Sequence, residues 1–580
     1  MTIPSDTAAP HTKEGEVFDR RSTVVDRIDE AIRRFPDAAA LRNAERVWTY
    51  REFGRLVDAF ARTLSERTGQ GEFVGVSSHR DIGAVVAIVG ALRARRPFVV
   101  IDDRDSAASN TSKVNLLRLR TVADTTSPDG RVTLGDVPER WLPADTRSRS
   151  PLPDGVGYAI HTSGSTGRPK CVLVRADPLA LVVRDHVERL EVGPGSRTLQ
   201  FARLTFDGCL TEILWTLTAG ACLVVLDEPR LTPGAVLAET LEEFGITHLK
   251  TTPFALTVTE PTPGMRLRHV INGGGPCRPS VIRSWSVASA FHNAYGLTET
   301  TVCNLLSDPL APEPGRHAVP LGTVVGDCAY HLRPVAGEEG DTGRGELVIT
   351  GESVALGYLT EEGLAPFGEP GAEPGYATGD IVEEREGALY FVERVDRQVK
   401  LRGYRLDPGE IENAVCRLDG VLDAVVAAEA HDGLRRGDPD VLVCYYRGDA
   451  DPRILRKSLE TVLDPYKIPS LFERAEVFPH TPNGKIDRDA LGAGRRDRLI
   501  SRSVPEAGAD QRILRLVRDL TGVRDLTLED NFFDVGGDSA TAVVLVGHLR
   551  ELGWADAGIR DVLRAETLRG LAERLQERGV

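Results

Sequence analysis

The sequence predicts an α/β protein with sheets covered on both faces, followed by a small all-helical bundle. Strand–helix–strand alternation carries the first half of that expectation. GVSS leads to IGAVVAIVGALRARR and then PFVVID, and ACLVVLD leads to PGAVLAETLEEFG and then ITHLKTT; such alternation builds sheets sandwiched by helices. The second half comes from residues 509–580, which read as QRILRLVRDLTG, DNFFDVGGDSATAVVLVGHLRELG and IRDVLRAETLRGLAERLQER, each with helical spacing. A bundle of that size is marginal but foldable.

A chain of 580 residues is several times the usual domain, so three or four folding units are expected. It is 41% hydrophobic and 27% charged, which excludes a wholly disordered protein. Lys and Arg total 71 against 86 Asp and Glu, a formal charge of −15. That balance does not suit a protein whose main task is neutralising nucleic-acid phosphates. No apolar run approaches the ~20 residues that span a bilayer. The opening MTIPSDTAAPHTKEGEVFDRR lacks an apolar signal core, so a cytoplasmic location without membrane attachment is expected. The eight cysteines are scattered without a CxxC pair and read as buried, reduced thiols.

Taken along the chain, the first element starts near residue 24, where Val25, Ile28, Ile32 and Phe35 follow helical spacing until Pro36 stops them. Residues 100–150 are polar and poorly periodic, and no boundary is drawn within them. From about 340 the pattern turns to shorter strands and turns. Residues 494–508, charged and carrying Pro and Gly, read as a linker.

The stretch His161-Thr-Ser-Gly-Ser-Thr-Gly-Arg-Pro-Lys170 is the most informative. Thr162, Ser163, Gly164, Ser165, Thr166 and Gly167 offer backbone N–H groups and hydroxyls that wrap phosphate oxygens, and Lys170 adds a positive charge. It is not a Walker A loop, because Pro169 precedes the lysine and CVLV continues as a strand. Phosphate is therefore to be held by loop amides and hydroxyls rather than by a helix dipole.

These residues resemble the phosphate loop of nonribosomal peptide synthetase adenylation domains, within the adenylate-forming superfamily. Other ordered motifs extend the resemblance from about residue 20 to the C-terminus: Trp48-Thr-Tyr-Arg-Glu-Phe53, Ala91-Leu-Arg…Phe98-Val-Val-Ile-Asp102, Asn293-Ala-Tyr-Gly-Leu-Thr-Glu299, Gly345-Glu-Leu…Gly357-Tyr358-Leu359, Tyr376-Ala-Thr-Gly-Asp380, Val395-Asp-Arg-Gln-Val-Lys-Leu-Arg-Gly-Tyr-Arg405 and Pro482-Asn-Gly-Lys485. The resemblance implies a large adenylate-forming core over 1–395, a small mobile α+β subdomain over 396–493, the linker 494–508 and a four-helix carrier bundle over 509–580. It implies that Asn293, Ala294 and Tyr295 meet adenine, Thr298 touches phosphate, Glu299 holds Mg²⁺ and Asp380 binds the ribose hydroxyls of ATP. Arg394 is a further ribose contact, although Glu393 stands where the family has Gly. Asp396 is the implied hinge and Lys485 the catalytic lysine, with Lys170 assisting. Arg95-Arg96 and Leu297 also depart from the family pattern.

By the same resemblance Asp207 faces a substrate α-ammonium, which favours an α-amino acid. Gly208, Thr211, Lys250, Ile271, Gly273, Ala294, Val302 and Cys303 form the pocket walls. Within the string Asp-Gly-Thr-Lys-Ile-Gly-Ala-Val-Cys, Thr-Lys-x-Gly resembles pockets for aspartate and asparagine while Ala294 and Cys303 depart from them, and a buried Lys250 ammonium calls for an anionic or amide partner. In Asp530-Asn-Phe-Phe-Asp-Val-Gly-Gly-Asp-Ser539, Ser539 sits where a helix begins. Asp-Ser before an apolar run also suits a plain helix cap; the likeness to carrier domains implies attachment of 4′-phosphopantetheine at Ser539.

The expected function is ATP-dependent activation of an amino acid, aspartate or an asparagine-like relative, and its loading as a thioester on the chain's own carrier domain. This serves nonribosomal peptide or antibiotic biosynthesis. The expected partners are a phosphopantetheinyl transferase, condensation or tailoring enzymes in trans, and a small MbtH-like activator. The competing readings are an acyl-CoA or aryl-acid ligase and a non-catalytic nucleotide-binding scaffold.

Overall fold

The computed structural model describes residues 22–142, 153–162, 170–275, 277, 279–313, 318–334, 343–368, 375–395, 399–401, 404–429, 441–479, 486, 488, 490–491, 509–521, 526–533, 535, 537, 539–554, 557–558, 561–562 and 564–578. The large N-terminal part rests on two mixed sheets. One has nine strands in the order Thr323–Val324, Leu305–Leu306, Ala290–Tyr295, His269–Asn272, His248–Thr251, Arg197–Leu199, Cys222–Val224, Ala39–Arg42 and Val47–Thr49. The other has eight: Leu364–Pro366, Gly357–Leu359, Lys170–Arg175, Val156–Thr162, Phe98–Ile101, Val74–Ser77, Thr121–Asp124 and Thr133–Asp136.

Both sheets send side chains into one apolar cluster: Val76, Val100 and Val172 from the second meet Leu41, Leu223 and Ile271 from the first. Helices fill the layer between them. Ile82–Arg93 is buried along nearly its whole length, and Gly83 lets it lie against the chain, since a Cβ there would stand 2.3 Å from the Thr125 carbonyl. The flanking helices Val24–Arg34 and Tyr50–Arg67 are set by capping boxes, Thr23 with Asp26 and Thr49 with Glu52. Arg95 turns the chain after Ile82–Arg93 with φ +51°, the left-handed conformation a glycine would adopt. The polar stretch after residue 100 holds a helix, Ala107–Leu117, and the strand pair 121–124 and 133–136.

A four-stranded antiparallel sheet follows (Cys328–Arg333, Arg344–Gly351, Gly375–Arg385, Ala388–Arg394). Beyond it lies a small lobe: the hairpin Val399–Leu401/Tyr404–Leu406, helix Pro408–Val415, and the sheet Val421–Glu429, Val441–Gly448, Leu471–Arg474. Alternation along those strands puts Ala424, Val426 and Cys444 in one cluster and Val425, Val443 and Tyr445 in another, on opposite faces. The last segment has a core of its own, in which helices Ala509–Thr521, Ser539–Glu551 and Leu568–Arg578 enclose Ile513, Leu545, Leu549 and Leu571. Three long helices are present there among the described residues; beside them, residues 561–562 are helical. No helix among the described residues is long and apolar enough to cross a membrane.

Candidate active site

The parallel strands 248–251, 269–272 and 290–295 run in register and end at a cavity of about 400 Å³. Carboxyl ends of parallel strands are where α/β sheets open to ligands. Seven of the nine expected pocket positions line this cavity; Thr211 and Ile271 do not. Ile271 is fully buried in the intersheet core and acts beneath the wall rather than as its surface.

Thr211 works through its neighbour. Its hydroxyl donates to the Gly208 carbonyl at 2.8 Å and accepts from Lys250 Nζ at 2.7 Å. The lysine is thus held in the cavity, 5.9 Å from the centre of the Trp215 ring. Two carboxylates stand near it. Asp207, at the start of helix Gly208–Thr218, has its pKa pushed up to about 6 by burial, against the pull of Lys250 and the Thr298 hydroxyl. Its Oδ2 is buried without a partner among the described residues. Glu212 lies one turn further along and accepts from Phe201 N and Ala202 N, each at 3.1 Å, and from Gln200 Nε2 at 3.2 Å. Burial pushes Glu212 to about 7, again opposed by Lys250.

The opposite wall is a strained turn. After Thr298–Thr300, Thr301 has φ +61° and Val302 +69°, left-handed conformations that β-branched residues avoid. The Thr301 hydroxyl donates to the Ser353 carbonyl at 2.6 Å, which anchors the turn. Gly296 is required opposite it, since a Cβ there would lie 2.3 Å from Val302 O.

Next to this turn a second polar group assembles. Glu299, 1% exposed, accepts from the Tyr358 hydroxyl at 2.8 Å, and the Tyr358 and Tyr376 hydroxyls are 3.0 Å apart. Lys170 Nζ lies 4.8 Å from the centre of the Tyr358 ring. Asp380, also 1% exposed, accepts from Tyr295 Oη at 2.6 Å and pairs with Arg394. Glu393 turns away to Arg344 at 2.6 Å, so its presence before Arg394 does not block that pair. Tyr295 and Thr298 line the cavity with Ala294; Asn293 instead braces the strand end, donating to Pro320 O at 2.9 Å and accepting from Asn272 at 3.0 Å. Thr162 reaches the cavity at the end of its strand.

Ser163, Gly164, Ser165, Thr166, Gly167, Asp396 and Lys485 lie outside the described residues, as does the linker 494–508. Ser539 is the first residue of its helix, and a Cβ at Gly537, two residues earlier, would lie 2.3 Å from the Phe532 ring. Sequence reasoning missed Glu212, Phe206, Tyr358, Tyr404 and Tyr466. Tyr358 and Tyr404 stood inside quoted motifs without a role and Phe206 stood next to Asp207; Glu212 and Tyr466 carried no local signal.

The match to known families decides the assignment. Residues 28–359 match the model described as AMP-binding enzyme, and 511–575 match that described as phosphopantetheine attachment site. The chain belongs to the AMP-binding enzymes. This AMP-binding enzyme is 30% identical to novobiocin biosynthesis protein H of Streptomyces niveus, over 92% of each chain. It is 31% identical to bacitracin synthase 3 of Bacillus licheniformis over 89% of its own length and 8% of that protein. The chain spans 7–16% of several such large synthetases. Among solved structures, a holo protein with adenylation and peptidyl carrier domains, PA1221 bound to a vinylsulfonamide inhibitor, superposes with a TM-score of 0.77 at 26% identity, covering 96% of this chain and 97% of that one.

Proposed function

We propose that the protein activates an amino acid with ATP, forming an aminoacyl adenylate, and loads it as a thioester on its own carrier domain for assembly of a peptide natural product. The observation that carries this reading is the placement of Asp207 and Lys250 in one cavity beside the Tyr295–Glu299 turn of the AMP-binding region. Buried and half-satisfied, the Asp207 carboxylate is a receptor for an α-ammonium, which would restore its missing partner. Lys250, oriented by Thr211, is the counterpart for a side-chain carboxylate or amide. Aspartate or a close relative is therefore the proposed substrate, with Gly208, Gly273, Ala294, Val302 and Cys303 shaping the space around its side chain.

In the first half-reaction a carboxylate oxygen of the amino acid bonds to the α-phosphorus of ATP as the bond to pyrophosphate breaks. Lys170 and Lys485 are assigned to neutralise the charge that builds on the phosphates. Glu299, a hard oxygen donor next to the phosphate-facing Thr298, suits Mg²⁺, whose charge when bound offsets that of the phosphates. Tyr295 and Asp380, with Arg394, form the nucleoside side, and the loop 162–167 the phosphate side. Ser539, at a helix start behind the close-packed Gly537, is the proposed attachment point for 4′-phosphopantetheine. When attached there, that group would supply the thiol nucleophile for the thioester.

The proposed division is a core over 1–395, a lobe over 396–493 hinged at Asp396, a linker over 494–508 and a carrier over 509–580. A phosphopantetheinyl transferase, condensation or tailoring enzymes and a small MbtH-like activator are the proposed partners, in the cytoplasm. The test is ATP–pyrophosphate exchange with the purified protein across all amino acids. Aspartate or a near relative should give the strongest exchange, and Lys250→Ala should abolish it. Strongest exchange with a large apolar residue, or full aspartate activity in Lys250→Ala, would remove the substrate assignment. Mass spectrometry after treatment with the transferase, ATP and aspartate should find the acyl mass on the peptide containing Ser539; a free acyl-CoA product would favour the ligase reading.

A further inference from the structure

The small lobe meets the large one through a polar seam. Asp464, 5% exposed, reaches across to the first turn of helix Ala107–Leu117, where its Oδ1 accepts from Ser106 N at 3.2 Å and its Oδ2 from the Ser109 hydroxyl at 3.4 Å. Ser106 is the N-cap of that helix and already caps Ser109 N with its own hydroxyl. Asp464 thus acts as a second cap supplied from another lobe, at the end of the helix that favours negative charge. The carboxylate is braced within its own lobe by the Tyr466 hydroxyl at 3.4 Å and by Lys467 at 3.6 Å; Lys467 in turn pairs with buried Glu410 at 2.7 Å. On the facing side Lys113 pairs with Asp105 at 2.5 Å. These groups close on a cavity of only about 20 Å³, so bulk water is excluded and each hydrogen bond there counts for more than at a surface.

The same docking decides which part of the small lobe faces the active site. Tyr404, on the hairpin 399–406, and Tyr466 both line the large cavity; their rings stack at 4.4 Å, and Phe206, beside Asp207, packs edge-on to Tyr404 at 5.0 Å. Ile486, the residue after Lys485, packs on the other face of the lobe's sheet, with the cluster of Val425, Val443 and Tyr445. The seam therefore holds the lobe with its hairpin toward the cavity.

We propose that Asp464 is a positioning residue that latches the small lobe in this orientation, and that the latch serves the thioester-forming half-reaction and not the adenylate-forming one. The inference rests on the two-step function proposed above. It is tested by measuring, on the full chain carrying its phosphopantetheine, both amino-acid-dependent pyrophosphate exchange and the single-turnover rate of acyl loading. Asp464→Ala should leave exchange within twofold of the unaltered protein while slowing loading about tenfold or more, with AMP released without matching thioester. Asp464→Asn, which keeps an acceptor, should fall between. A second pair of variants isolates the bond from the other side. Ser106 has φ −59° and ψ 148°, angles that proline adopts, so Ser106→Pro removes the N–H donor, whereas Ser106→Ala removes only the side-chain cap. Loading should be slower in Ser106→Pro than in Ser106→Ala, and Ser106→Pro should add little to Asp464→Ala. Equal losses of exchange and loading would show a merely structural residue and overturn the proposal, as would undiminished loading in Asp464→Ala. Failure of the two-step reading is seen separately, as absence of amino-acid-dependent exchange in the unaltered protein, and overturns both.

Discussion

Asp207, the proposed receptor of the substrate ammonium, is a carboxylate under stress from its own burial. Burial lifts its pKa to about 6, and Lys250 with the Thr298 hydroxyl keeps it from rising further. Near neutral pH it is ionised and short of a partner, the state in which a substrate ammonium binds best. As pH falls through about 6 the folded protein takes up that proton and the ion pair is lost. The KM for the amino acid in pyrophosphate exchange should therefore rise below pH 6, with a smaller change in the KM for ATP. Asp207→Asn should remove this inflection and lower kcat/KM about 100-fold at neutral pH, since breaking a buried charge pair costs about 2–5 kcal/mol. The positions of Asp207 and Lys250 were legible in the sequence through family resemblance. That Thr211 supports Lys250 rather than touching the cavity was not, because a string of positions does not say which side chain hydrogen-bonds to which.

Among the elements, the turn after Tyr295 is the one where the chain is least comfortable. Thr301 and Val302 occupy the left-handed region, at a cost of about 1–2 kcal/mol each. Gly296 makes room for Val302 O. Val302→Gly should raise the melting temperature slightly while widening the range of amino acids that support exchange, because the wall loses both its strain and its side chain. Gly296→Ala should leave the far-UV circular dichroism intact and reduce exchange by an order of magnitude or more, since its methyl group forces Val302 and Cys303 to move. Helix Ile82–Arg93 makes the opposite case. Its run IGAVVAIVGALR has no polar face, so periodicity alone does not separate helix from strand, and in the structure it is a helix buried on all sides rather than an amphipathic one. Burial on every side follows from its place between two sheets. Ile88→Ala should cost about 2–5 kcal/mol, read from chemical denaturation.

Across the whole molecule, three histidines from neighbouring strands stack in the interior. The His248 and His269 rings lie 5.1 Å apart and the His269 and His292 rings 5.4 Å apart, with His269 Nδ1 and His292 Nε2 3.2 Å from each other. Burial lowers His248 and His269 to about 4 and lowers His292 as well; Arg268 and Arg189 act in the same direction, and Glu191 and Asp308 oppose them. In the unfolded chain each takes up a proton near pH 6.5. Their contribution to stability is thus present above that pH and is lost as pH falls from about 6.5 toward 4. Asp207 and Glu212, with raised values, carry the opposite sign, so the informative measurement is a difference. The denaturation midpoint of His269→Phe should fall less steeply than that of the unaltered protein between pH 7 and 5.

The sequence alone determined the α/β class, the helical bundle at the end, the family, and the identities of Asp207, Lys250, Glu299, Asp380 and Ser539 as candidates. The class and the bundle follow from local periodicity, and the family and the candidate residues from the resemblance that ordered short motifs carry, all of which survive in one dimension. Only the tertiary structure decided that Ile271 lies under the pocket, that Glu212 stands near Lys250, that Tyr358 holds Glu299, and that Asp464 meets Ser106. Each of these joins elements set apart by the winding of the chain, or depends on which way a helix face turns. Hydrogen bonds and burial are properties of distance in space, and spacing along the chain does not encode them.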